Sequence, residues 1–148
     1  MYRTKNTFND DKNFGESYER LATNYVENNK IIFSEGNEPK YDFIATYQGV
    51  DKKYEVKADK MCLYTGNIAI EYECSGRPSG INSSEADYYI IFALNKQDSH
   101  KCYMIPLTEL RELAVKCQSR SGGYQFRSKM YLLPLNNIRN YEVKPVNE

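Results

Sequence analysis

Asp42, Glu55 and Lys57 set two carboxylates and one amine close together in the chain. Glu55 and Lys57 stand two residues apart, so on a β-strand both project from one face. Carboxylate oxygens are the ligands Mg²⁺ prefers, and Mn²⁺ can take its place. A cation held by Asp42 and Glu55, with the backbone carbonyl of Val56 beside them, lowers the pKa of bound water. It also screens the repulsion between hydroxide and an anionic phosphate. Lysine acting as a base would need a lowered pKa, which neighbouring carboxylates oppose. Lys57 is therefore expected to position the water and to neutralise charge on the phosphate. The chemistry within reach is cation-assisted hydrolysis of a phosphodiester.

A β-hairpin would bring these groups together. Tyr41 to Tyr47 is rich in aromatic and β-branched residues and reads as a strand. Gln48-Gly49-Val50-Asp51-Lys52 supplies the turn, and Lys53-Tyr54-Glu55-Val56-Lys57 returns. Upstream, Phe14, Tyr18, Leu21, Ala22, Tyr25 and Val26 recur at three- and four-residue intervals. That spacing predicts a helix over residues 12–29, capped by Asp10 or Asp11. Residues 1–11 are polar and without period, so they are expected to be a flexible lead-in to a single domain over 12–148. Glu35 to Pro39 reads as a loop by composition.

Downstream, Asn67 to Cys74 is expected to be a strand with Ile68, Ile70 and Tyr72 on one face and Ala69, Glu71 and Glu73 on the other. A loop follows over 75–80, with a short helical turn over 82–86. Tyr88 to Leu94 is the most apolar run and is expected as a buried central strand. A short strand over 102–105 ends at Pro106, and Thr108 is expected to cap a helix reaching about Lys116. Cys117 to Ser128, with Gly122-Gly123, reads as a long loop. A strand over 130–133 and a short helix over 135–140 complete the chain. The order predicts an α/β fold: a three-layer-like sandwich with a central mixed β-sheet flanked by helices.

With Pro39 and Asp42 ahead of Glu55-Val56-Lys57, the sequence resembles the PD-(D/E)XK nuclease superfamily, which includes Holliday-junction resolvases, many restriction enzymes and repair nucleases. Lys40 and Tyr41 separate Pro39 from Asp42, whereas family members usually have the two adjacent. Gly15 and Glu19 match the spacing of the first-helix acid in resolvase-like members, with Glu16 as its competitor. Thr65-Gly66-Asn67, Ile70-Glu71-Tyr72-Glu73, Pro78-Ser79-Gly80-Ile81 and Asp87-Tyr88-Tyr89 resemble a phage and bacterial type of the superfamily. The resemblance implies a restriction-endonuclease-like core and a Mg²⁺-dependent deoxyribonuclease. Asp42, Glu55, Lys57 and Glu19 would be catalytic, with Glu19 a further metal ligand. It also implies DNA, including branched DNA, as the substrate of a homodimer. A restriction-type endonuclease is one alternative. A non-catalytic nucleic-acid or protein binding module on the same fold is another.

Glu71 and Glu73 could extend the metal site, or form a cross-strand salt bridge. Ser79-Gly80 could bring backbone amides close to a phosphate, with Arg77 adding charge, or be a plain turn. Arg120, Arg127 and Lys129 could contact nucleic acid, with Tyr124 and Phe126 for stacking, or belong to a charged surface loop. His100, the one histidine, falls in a polar loop and reads as solvated rather than catalytic.

A length of 148 residues fits one domain with a real core. The net charge of zero gives no global attraction for nucleic acid. Its distribution is uneven, because Leu113 to Tyr141 holds five basic residues and no Asp or Glu. Cys62, Cys74, Cys102 and Cys117 are too widely spaced for a zinc or redox pair and read as reduced thiols. No run approaches about 18 apolar residues, and the polar start lacks a signal-peptide core, so a cytoplasmic protein is expected.

Overall fold

The computed structural model describes residues 5–35, 40–95 and 99–146. Helix α1 (Lys5–Ala22) begins well before the expected cap at Asp10 or Asp11, inside the stretch expected as a flexible lead-in. Once a helix is nucleated, each added residue gains a backbone hydrogen bond whatever its side chain, so an apolar face is not needed there. The helix also stops earlier than its apolar spacing predicts. A single 3-10 turn, Thr23–Tyr25, follows, and Val26 is extended at φ −122° and ψ 135°. The Asn28 side-chain amide donates to the Val26 carbonyl at 2.9 Å, the local competition by which Asn disfavours continued helix.

Among the described residues, ten strands follow in two sheets: β1 (Lys30–Phe33), β2 (Phe43–Tyr47), β3 (Val50–Asp59), β4 (Asn67–Cys74), β5 (Arg77–Pro78), β6 (Tyr88–Leu94), β7 (His100–Pro106), β8 (Gln118–Gly122), β9 (Ser128–Pro134) and β10 (Glu142–Val143). The described residues also form helices α2 (Cys62–Thr65) and α3 (Leu107–Val115). Short 3-10 segments occur at Gly80–Asn82, Tyr124–Phe126 and Leu135–Tyr141. The first sheet runs β1-β2-β3-β6-β7-β10. It is mixed, as expected, because β3 and β6 are parallel while its other pairs are antiparallel. The β2–β3 turn is tighter than the five residues expected. Gln48 at φ 51° and Gly49 at φ 78° close it alone, the backbone that suits a two-residue hairpin. Pro39 lies outside the described residues.

A second sheet, β5-β4-β9-β8, replaces the expected long loop over 117–128 with a strand and a turn. The side chains of Gln118 to Ser121 are all exposed, so the segment lacks the alternation that marks a half-buried strand. Its backbone is ordered by pairing with β9 rather than by propensity. A bulge between Glu71 and Glu73 adds Tyr72 to β4. Glu71 then pairs with Met130 and Glu73 with Lys129, so the two glutamates face opposite ways instead of sharing a face.

The first sheet is the middle layer. On one side Ala22 and Val26 cover Phe43, Ala45, Tyr54, Val56, Ile90 and Phe92. On the other, the second sheet and α3 bury Tyr89 and Ile91 among Ile68, Ile70, Leu133 and Leu110. Fully buried Ile90, Ile91 and Phe92 each contribute roughly 1.5–3 kcal/mol of apolar burial. The expected three-layer α/β plan is therefore present, with one outer layer made of sheet plus helix. His100 is not in a loop but opens β7. Its ring packs edge-on against Phe92 at 5.1 Å, and its Nε2 lies 3.3 Å from the Tyr25 hydroxyl. Among the described residues, no helix is long and apolar enough to cross a membrane.

Candidate functional site

The β2–β3 ladder ends with Phe43 opposite Tyr54, and Asp42 follows just beyond it, close enough for its charge to act on Glu55. The Asp42 N–H donates to the Tyr54 carbonyl at 2.8 Å, one residue out of step with that ladder. Beyond that point β3 runs on without β2. The Val56 N–H is taken up instead by the Asp42 carboxylate, at 2.7 Å. A strand residue sends its N–H and C=O to the same side, so the Val56 carbonyl leaves β3 on the edge where Asp42 sits. Tyr54 and Val56 pack on the α1 side, which turns Glu55 and Lys57 toward the second sheet. Lys57 Nζ lies 3.3 Å from Glu55 Oε1, with the lysine side chain 51% exposed and the glutamate 18%.

Glu19 comes from α1 and completes a group of three interacting carboxyls. Burial, then the charge of Asp42 and a hydrogen bond with it, raise the Glu19 pKa from 4.5 to about 7. Burial also pushes Asp42 up, against the opposing effects of the Val56 N–H, Lys57 and Glu19. Glu55 is raised by burial first, with Lys57 pulling it down and Asp42 pushing it up. Carboxyls crowded into one half-buried place resist ionising together, and a cation relieves that repulsion. The donor set is hard oxygen, which fits Mg²⁺ or Mn²⁺. As the side chains stand, no three acidic, cysteine or histidine groups among the described residues form a cation cage. Glu55 is turned to Lys57 instead.

No family model and no curated protein matches the chain. Among solved structures, it is similar to a bacterial homing endonuclease, I-Ssp6803I, with a TM-score of 0.48 and 15% identity. The match covers 86% of this chain and 85% of that one. A likeness at that level assigns neither a family nor an activity.

The other expected site residues divide. Glu16 is exposed on α1 and acts on Glu19 by like-charge repulsion. Glu71 lines a pocket with Lys57. Glu73 does not join them, because the β4 bulge directs it to Lys129, whose Nζ is 3.1 Å away. That is the cross-strand pair. Gly80 is packed onto β4, where a Cβ would fall 2.0 Å from the Glu71 carbonyl oxygen. Its bare backbone serves that packing rather than an open approach for phosphate. Ser79 has its hydroxyl buried, and Arg77 is exposed on β5.

Arg120 and Lys129 sit on the two strands that flank the β8–β9 connection, and Arg127 lies within it. Arg120 pairs with Met130 and Lys129 with Ser121, so alternation puts these two basic residues on opposite faces of the second sheet. Arg127 donates to the Gln125 side chain at 2.7 Å. One residue at the site escaped the sequence reading. Tyr89 pairs in register with Glu55 and lies buried beside Lys57. Its signal was a hydroxyl-bearing side chain inside the otherwise apolar run Tyr88 to Leu94.

Proposed function

We propose that this protein is a Mg²⁺-dependent endonuclease of the PD-(D/E)XK type that hydrolyses DNA phosphodiester bonds. The observation that carries the reading is the open end of the hairpin, where Asp42 lies beyond the last β2–β3 pair within electrostatic reach of Glu55, and Lys57 follows Glu55 on the same face. Asp42, Glu55, the Val56 carbonyl and Glu19 would hold the cation. When bound, it supplies water activation and charge neutralisation. Lys57 brings donors and positive charge to the phosphate. Asp42 has its orientation fixed by the Val56 N–H. Exposed Arg77 and Arg120 offer phosphate contacts outside the centre, so DNA affinity should fall with added salt. A homodimer would present two centres to two strands, and branched DNA is the favoured substrate.

The test is purified protein incubated with plasmid and with branched DNA, in Mg²⁺ or EDTA. Cleavage in Mg²⁺ that EDTA and Lys57→Ala both abolish is the expected result. Wild-type protein that cuts neither DNA removes the enzymatic reading. The 3.3 Å ion pair between Lys57 and Glu55 favours one other reading, because it neutralises a would-be ligand. In that case the protein is a binding module that holds DNA after Asp42→Ala or Lys57→Ala and never cuts it.

A further inference from the structure

Beside Lys57 lies a pocket of about 180 Å³, lined by Lys57, Ala69, Ile70, Glu71, Gly80 and Tyr89. Tyr89 is 2% exposed, and its hydroxyl is buried without a well-formed hydrogen bond. Burial and then the charge of Glu55 raise its pKa, and the nearby Ser84 side chain lowers it. Ser79, the neighbour of Gly80 in the chain, also has a buried hydroxyl without a partner. A buried unpaired hydroxyl is destabilising, and phenylalanine would fill the same space without it. The charged residues that line it are Lys57 and Glu71, of opposite sign. A phosphate would meet Glu71 and a second cation would meet Lys57, so a neutral dipolar molecule suits the pocket best. The space exceeds the roughly 10–15 Å³ that one water requires, and polar groups sit on several of its walls.

We infer that this pocket is a water site serving the reacting centre, and that Tyr89 is a positioning residue whose hydroxyl holds solvent within reach of Lys57. The inference rests on the nuclease reading above. Tyr89 donates to the water oxygen, Glu71 accepts from it, and Lys57 closes the side toward the phosphate. No proton is transferred to or from Tyr89.

Two measurements on the full chain test this. A high-resolution crystal structure of the wild type should show an ordered water in hydrogen-bonding contact with the Tyr89 hydroxyl. Steady-state cleavage by Tyr89→Phe should show kcat lowered between roughly ten- and a hundredfold, the scale of a misplaced reactant. KM for DNA and the affinity for Mn²⁺ should be unchanged, and the melting temperature equal to or above that of the wild type. A dry pocket in that crystal overturns the inference even if the variant fails to fold. A fully active Tyr89→Phe beside an active wild type overturns the inference alone. Wild-type protein that cuts no DNA overturns the nuclease reading and this inference with it.

Discussion

The carboxylate of Asp42 accepts the backbone N–H of Val56 at 2.7 Å, at the point where β2 has ended and β3 continues without it. One side chain thus completes the hairpin ladder and stands among the acids of the proposed cation site. The two roles separate by substitution. Asp42→Ala leaves the Val56 N–H unpaired and should cost about 1–3 kcal/mol in urea unfolding. Asp42→Asn keeps an acceptor and should stay within about 1 kcal/mol of the wild type. Both should lose Mg²⁺-dependent cleavage. An Asn variant that cuts normally would mean that Asp42 is a structural cap only.

Glu19 gives the site a pH signature. Its pKa rises from 4.5 to about 7, chiefly through burial and then through Asp42. A carboxyl that holds its proton more tightly when folded stabilises the fold fully below its unfolded value. That contribution is lost as pH rises through about 7. Without divalent cation, the wild-type melting temperature should therefore carry a falling component between those limits, which Glu19→Gln should remove. Cation binding should release protons near neutral pH and weaken as the solution is acidified, because the cation and the proton compete. Superimposable pH profiles for wild type and Glu19→Gln would contradict this coupling.

Gly80 is a packing requirement. It has φ +50°, and a Cβ there would lie 2.0 Å from the Glu71 carbonyl oxygen and 2.7 Å from its carbon. Both atoms belong to a paired strand backbone and cannot step aside as a side-chain tip would. Gly80→Ala should destabilise the protein by at least about 1–3 kcal/mol, read as a lower melting temperature. Wild-type stability in this variant would show that the 3-10 segment does not rest on β4 in solution.

Glu73 and Glu55 are both glutamates on strands, yet their neighbours separate them. Glu73 is engaged by Lys129 across the second sheet, whereas Glu55 lies within the electrostatic reach of Asp42. Glu73→Ala should leave the cleavage rate at the wild-type level, and Glu55→Ala should abolish it. Equal losses from both would restore Glu73 to the metal site.

The hairpin was legible because its signals are local. Aromatic and β-branched residues flank Gln48-Gly49, and the spacing of Glu55 and Lys57 fixes a common face on any strand. Strands β4 and β6 were read at their observed limits for the same reason, an alternating or continuous apolar pattern. What escaped was set by partners distant in sequence. Strand β8 is polar on both faces and exists because β9 pairs with it. Strand β1 is four residues long at the sheet edge, and exposed Ile32 and Phe33 give it no alternation. The β4 bulge moved Glu73 away from the site, and nothing in Ile70-Glu71-Tyr72-Glu73 marks an inserted residue. Within the site, the approach of Asp42 to Glu55 could be anticipated from the hairpin, but the burial of Tyr89 beside Lys57 required the second sheet.

The most direct measurement is anomalous diffraction from a crystal of the wild-type protein soaked in Mn²⁺. One anomalous peak should lie between the carboxylates of Asp42 and Glu55, in contact with the Val56 carbonyl and with Glu55 released from Lys57. A soaked crystal with no peak at that place, or with Glu55 still paired to Lys57 and the ion bound elsewhere, would contradict the proposed centre.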